Sequence, residues 1–217
     1  MTDHLIRLVA RVQAGVPSAE RSGLTMPDRA SEVAHAVDWT FNFILGVSVF
    51  FTILITGLMI YFVVRYRRGR VKGPTKTATH SLPLEVAWTL IPSALVLVMF
   101  FSGFQGYMRM RLDTQNAYEI MVQGQKWSWA FTYPNGYVDK DLHLPVDRNI
   151  RLVMTSSDVI HSVYIPAFRV KKDVVPGRYN KLWFKPTKPG EYNLYCAEYC
   201  GTSHSDMLAR VIVHEPG

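Results

Sequence analysis

The sequence predicts a membrane-anchored all-β protein: a two-helix transmembrane hairpin followed by a β-sandwich or barrel. Two observations carry the hairpin. No charged side chain occurs for 26 residues from Trp39 to Val64, nor for 23 residues from Val86 to Met108, and each stretch is long enough to cross a hydrocarbon core about 30 Å thick. The third observation lies beyond Arg109, where short β-branched stretches alternate with turn signals.

Residues 1–38 read as an exported, largely irregular arm with a short amphipathic turn over Leu5 to Val12. Four arginines are mixed there with five acids, and no long apolar run is present, so no cleavable signal peptide of ordinary form is expected. The first spanning helix, 39–64, contains Gly46 and Gly57, small residues that let helices approach closely in lipid.

The connector, 65–83, carries six basic residues and no acid between Arg65 and Lys76, which the positive-inside bias assigns to the cytoplasm. Both termini then face the opposite side. The second helix, 84–108, opens on Leu84-Glu85-Val86-Ala87-Trp88-Thr89-Leu90-Ile91-Pro92. Trp88 suits the membrane interface, and Pro92 is placed to kink or end the first turn. By residue type alone, Glu85 is either a solvated boundary carboxylate or a group that admits protons.

Within 109–217, strands are predicted over Tyr118–Val122, Trp127–Tyr133, Ile150–Thr155, Val163–Ile165, Lys181–Lys185 and Met207–His214, separated by Pro134-Asn135-Gly136, Leu144-Pro145, Pro176-Gly177 and Pro189-Gly190. Many short strands at this spacing point to an antiparallel sandwich or barrel.

The net charge of +7 invites a nucleic-acid reading. Six positive charges belong to the connector, where topology explains them, and from Tyr107 onward 14 basic residues face 11 acidic ones. Nucleic-acid binding is therefore excluded.

Chemistry concentrates in Cys196-Ala197-Glu198-Tyr199-Cys200-Gly201-Thr202-Ser203-His204-Ser205-Asp206-Met207, which holds both cysteines of the chain, with His161 upstream. Thiolates, imidazoles and a thioether are ligands that suit copper. A disulfide is the simplest alternative for two cysteines in an exported domain, but it needs neither His204 nor Met207 nor His161. Structural zinc stays open on these residues, since two Cys and two His can close a tetrahedral site. His4, His35, His80, His143 and His214 have no assignable partner.

That segment, together with His161-Ser162, Lys172-Asp173-Val174-Val175-Pro176-Gly177-Arg178 and the Glu85 to Pro92 run, resembles subunit II of the haem-copper cytochrome c oxidases. The resemblance covers both membrane helices and nearly all of the exported domain. It implies a cupredoxin-like domain holding a dinuclear copper centre. Cys196 and Cys200 would bridge the two ions, His161 and His204 would be terminal ligands, and Met207 and the backbone carbonyl of Glu198 weak axial ones.

The same resemblance makes the Glu198 carboxylate a ligand to magnesium or manganese at the contact with subunit I. Trp127 becomes the point where electrons arrive from cytochrome c, and Glu85 the mouth of a proton channel. The implied partners are subunit I, subunit III, a cytochrome c and membrane lipid. The implied location is a bacterial plasma membrane, with both termini and the copper domain on the periplasmic side.

Two departures narrow the expected donor. Ser128 stands between Trp127 and Trp129 where the family usually has an aromatic, and the domain is mildly basic where relatives that use a basic soluble cytochrome present an acidic face. The chain carries no Cys-x-x-Cys-His haem motif. A membrane-anchored, complex-bound or less basic cytochrome is the expected donor. Two competing readings are a copper-free subunit II of a quinol oxidase and a copper reductase with a similar dinuclear centre. The intact ligands oppose the first, and the membrane helices together with the short chain oppose the second.

Overall fold

The computed structural model describes residues 26–70, 80–111 and 116–215. The amphipathic turn expected at Leu5 to Val12 and the middle of the basic connector, 71–79, lie outside the described residues.

One unit spans Ala36–Tyr107 and consists of the bodies of two long helices, α1 (Ala34–Tyr66) and α2 (Leu82–Arg111). Both extend past the predicted limits, because helical hydrogen bonding continues into the polar flanks beyond the apolar run. Both are long and apolar enough to span a membrane. Their large side chains, among them Ile53, Val63 and Leu90, are exposed all around, as lipid-facing helices require.

Polar groups inside the helices are satisfied locally. Ser48 donates to the Ile44 carbonyl, Thr52 to Ser48, Thr89 to Glu85 and Ser93 to Thr89 at 2.6–2.8 Å, the back-bonding that hydroxyls adopt in helices. Pro92 does not end the helix: α2 runs through it to Arg111.

The other unit, described over residues 26–35, 108–111 and 116–215, holds a sandwich of two five-stranded sheets. Its strands are β1 (Tyr118–Gln125), β2 (Ser128–Thr132), β3 (Val138–Asp139), β4 (Leu142–Pro145), β5 (Ile150–Ser156), β6 (His161–Ile165), β7 (Val170–Val174), β8 (Asn180–Phe184), β9 (Gly190–Cys196) and β10 (Leu208–His214). One sheet has the order β3-β2-β1-β5-β8 and the other β4-β10-β9-β6-β7. Pairing is antiparallel except for β1 with β5 and β4 with β10, so the expectation of an antiparallel sandwich holds with two parallel seams.

Alternation places Ile120 and Val122, Ile150, Leu152 and Met154, Tyr192 and Leu194, and Val211 and Val213 in one shared core. Four strands lie outside the predicted set: β3, β4, β7 and β9. β7 reads Val-Lys-Lys-Asp-Val, whose charges mask the period, and β4 ends on Pro145. β3 has only two residues.

The arm differs from expectation where it is described. Ala30 and Ala34 are fully buried. The Ala30 N–H donates to the Ala167 carbonyl at 3.0 Å and its carbonyl accepts from Thr187 N–H at 2.9 Å. Ser31 donates to the Phe168 carbonyl at 2.7 Å, and Arg169 to the Pro27 carbonyl at 2.7 Å. This stretch is laid along the sandwich edge by backbone pairing, which composition does not reveal.

Candidate metal centre

Three loops at one end of the sandwich converge through strand register. Along β9, Tyr192, Leu194 and Cys196 alternate inward, so the chain leaves the strand with the Cys196 thiol buried. Val163 of β6 stands opposite Cys196. His161, two residues earlier, shares the inward face and is fully buried. From Cys196 the chain loops through Cys200 into the short helical turn His204–Asp206 and returns as β10.

The six predicted ligands come together. Both cysteines are free, with sulfurs 3.9 Å apart. His161 Nδ1 lies 3.9 Å from the Cys196 sulfur, and His204 Nδ1 lies 3.5 Å from the Cys200 sulfur. Met207 Sδ is 3.8 Å from Cys200, and the Cys196 thiol donates to the Glu198 carbonyl at 3.3 Å. His161, Cys196 and Cys200 alone already form a buried cluster whose ligand atoms fit around an ion.

The donor set fits copper. Metal–thiolate bonds of about 2.3 Å let an ion touch both sulfurs at this separation, and one imidazole stands beside each sulfur, which suits two ions sharing two thiolates. Burial first, and then the neighbouring Cys196, push the Cys200 thiol up to about 11. An empty pair therefore keeps a proton on Cys200 at neutral pH.

Asp158 has no role in the sequence analysis, yet its carboxylate organises the site. It accepts from His161 Nε2 at 2.8 Å, from Val159 N–H at 2.6 Å and from Lys126 N–H at 2.7 Å. Burial opposes its charge, but these hydrogen bonds outweigh it and hold the carboxyl far below the usual range. With its proton committed to Asp158, His161 points a bare Nδ1 at the sulfurs, the carboxylate–histidine–metal arrangement. The signal was the Asp-x-x-His spacing.

Trp127 does not begin a strand. It occupies the two-residue turn between β1 and β2, where Gln125 pairs with Ser128. The indole is 39% exposed, whereas Trp129 is buried and meets the His161 ring edge-to-face at 6.0 Å. A Cβ on Gly201 would come within 3.3 Å of the Trp127 indole, so the exposed ring lies against the backbone of the cysteine loop.

Gly124 has a comparable role beneath His161. An added Cβ there would stand 3.2 Å from the imidazole and 3.2 Å from Trp129.

Glu198 is exposed, so the same residue turns its carbonyl toward Cys196 and its side chain outward. Glu85 lies far along the chain in the first turn of α2, its N–H bonded to the Ser81 carbonyl at 2.9 Å and its carboxylate 3.7 Å from His80. Asp173 pairs with the Ser162 hydroxyl at 2.8 Å and Lys171 at 3.5 Å.

Known proteins resemble this chain over most of its length. The family model described as cytochrome c oxidase subunit II, transmembrane domain, matches residues 19–105, and that described as its periplasmic domain matches residues 136–214. Cytochrome c oxidase subunit 2 of Synechocystis sp. is 30% identical, covering 88% of this chain and 72% of the relative. The Cereibacter sphaeroides protein of the same name is 29% identical, covering 96% and 79%. The crystal structure of the periplasmic domain of Bradyrhizobium japonicum subunit II is 34% identical with a TM-score of 0.45, covering 48% of this chain and 88% of that one.

Proposed function

Because the chain belongs to the cytochrome c oxidase subunit II family, we propose that it is the electron-accepting subunit of a terminal oxidase. It takes electrons from a cytochrome c at a dinuclear copper centre and passes them to haem in subunit I, where dioxygen is reduced to water with coupled proton translocation. It is not catalytic alone. The observation that carries this reading is the convergence of two free thiols, two imidazoles, a thioether and a carbonyl within 3.3–3.9 Å contacts.

A copper pair bound there supplies one-electron redox chemistry shared between two ions. The chain's own residues set the terms. Cys196, Cys200, His161, His204, Met207 and the Glu198 carbonyl would hold the pair, the two thiolates supplying the strongest donors. Asp158 keeps the proton of His161 on Nε2, and the surrounding buried strands limit rearrangement. A frame that moves little between oxidation states makes transfer fast, while the neighbouring groups tune the potential.

Trp127, exposed at the turn and resting against the cysteine loop, is the contact for the donor cytochrome. The Glu198 carboxylate holds magnesium or manganese at the subunit I contact, a hard oxygen donor for a hard ion. Glu85 stands at the mouth of a proton path into subunit I. The basic connector sets both termini and the sandwich outside a bacterial plasma membrane, where subunits I and III and lipid surround the helices. The donor is a membrane-anchored, complex-bound or less basic cytochrome.

The test is electron paramagnetic resonance with copper quantification on the full chain in detergent. Two coppers per chain with one unpaired electron shared equally by both are expected. Zinc or a Cys196–Cys200 disulfide under copper-replete conditions would instead support a copper-free scaffold, and a single localised copper would overturn the dinuclear reading.

A further inference from the structure

A second group of metal-ligating side chains stands apart from the cysteine site, on the seam between β4 and β10. His143 and His214, separated by 71 positions in sequence, are brought together by parallel pairing that sets Ile212 beside His143 and Pro145 beside His214. His143 Nδ1 lies 2.9 Å from His214 Nε2. The ring centroids are 5.2 Å apart and the planes differ by 12°. That centroid separation is the nitrogen separation plus two ring radii, so the rings lie edge to edge in nearly one plane with the two nitrogens facing.

Asp139 sets the tautomer. Its carboxylate accepts from the Asp141 N–H at 3.1 Å and from the Tyr137 hydroxyl at 2.9 Å. These two bonds, the backbone one first, hold the carboxyl below its ordinary range. The ionised group stands 3.6 Å from His143 Nε2, beyond hydrogen-bond reach, and its negative charge favours the imidazole proton on that side. The Nδ1 lone pair is left facing His214, whose Nε2 must carry the single proton between the rings.

We propose that His143 Nδ1 and His214 Nε2 form a binding site for a borderline divalent cation of the Zn2+ type, which takes the place of the shared proton. His214 then carries its proton on Nδ1, so the exchange is a tautomer shift and needs no redox partner. Asp139 stands behind His143 at 3.6 Å, a looser form of the carboxylate–histidine pair that Asp158 and His161 make at 2.8 Å.

Zinc–imidazole bonds of about 2.0–2.1 Å in a tetrahedral site require nitrogens about 3.3 Å apart, so the rings must part by about 0.4 Å and tilt so that each lone pair turns from the other nitrogen toward the ion. His214 can give that movement. Its side chain is exposed at the end of β10, while its carbonyl is pinned by the Val146 N–H at 3.1 Å. The adjoining cavity of about 380 Å³, lined by Tyr133, Tyr137, Arg148 and both histidines, has room for water to complete the coordination. The Arg148 guanidinium is held over the Tyr118 ring at 4.6 Å.

The test uses the full chain in detergent with the cysteine site loaded with copper, dialysed against Zn2+ and examined by metal analysis and zinc-edge X-ray absorption. One zinc per chain beyond the copper is expected, bound by two imidazole nitrogens at about 2.0–2.1 Å. His214→Gln, an exposed change with little risk to folding, removes it. Asp139→Asn weakens it about tenfold or more with copper content unchanged. Absence of additional zinc, zinc with sulfur ligands, or zinc retained in His214→Gln overturns the proposal. The outcome is independent of whether the cysteine site relays electrons.

Discussion

The carboxylate of Asp158 joins the buried imidazole of His161, 2.8 Å away, to the backbone of Lys126, 2.7 Å away, immediately before the exposed Trp127. One side chain thus positions the proposed metal ligand His161 and the turn that carries Trp127, the proposed donor contact. Asp158→Asn is expected to keep two coppers per chain but shift the reduction potential and broaden the copper resonance, because the amide accepts more weakly from His161. An unchanged potential and spectrum would show that the ring is held by packing alone.

Trp127 rests on Gly201, whose φ of +125° is a conformation that L side chains rarely adopt. Trp127→Ala is expected to slow electron uptake from reduced cytochrome c at least about tenfold, a barrier increase of about 1.4 kcal/mol, with the copper spectrum intact. Gly201→Ala is expected to cost about 1–3 kcal/mol of stability through backbone strain and to displace the indole. Wild-type uptake kinetics in Trp127→Ala would remove this residue from the electron route.

Metal loading should depend on pH in a defined direction. Because burial and Cys196 raise the Cys200 thiol to about 11, that thiol is protonated in the empty site at neutral pH, and binding must expel its proton. Apparent affinity therefore rises about tenfold per pH unit for each proton released, over the range below 11. A pH-stat recording during anaerobic copper addition checks this. Loading without proton release contradicts it.

Acid should weaken the sandwich through Asp141, which is buried and accepts from Arg210 Nη2 at 2.7 Å and Arg210 N–H at 3.0 Å. Burial opposes its charge, but the Arg210 contacts prevail and lower its pKa. A lowered folded-state value adds stability that is complete above the unfolded carboxylate value of about 4 and disappears as pH falls through the folded one. Asp141→Asn should cost about 1.5–3 kcal/mol at pH 7 and flatten the acid side of the stability profile, read from thermal unfolding midpoints. An acid slope equal to wild type would assign the effect to other carboxylates.

Glu85→Ala is expected to leave copper content and resonance unchanged while slowing proton-dependent turnover in the assembled oxidase. Normal turnover would return Glu85 to the role of a boundary carboxylate paired with His80.

Local information determined much of this protein. Charge-free runs of 26 and 23 residues announce the two spans because crossing lipid depends on length and composition alone. The spacing of Cys196, Cys200, His204 and Met207 exposes four of the proposed ligands because they lie close together in sequence. The β-branched and apolar residues of β1, β5 and β10 make those strands legible, whereas the charges of β7 mask its period and β9, though it alternates, holds no β-branched residue.

Tertiary structure decided the rest. His161 reaches Cys196 across 35 positions, Asp158 reaches Lys126 across 32, and His143 reaches His214 across 71. The burial of Ala30 and the tautomer of each histidine belong to the same class. These relationships depend on which strands pair and in what register, and register is settled by how all ten strands bury their inward faces together. No short stretch of sequence contains that information.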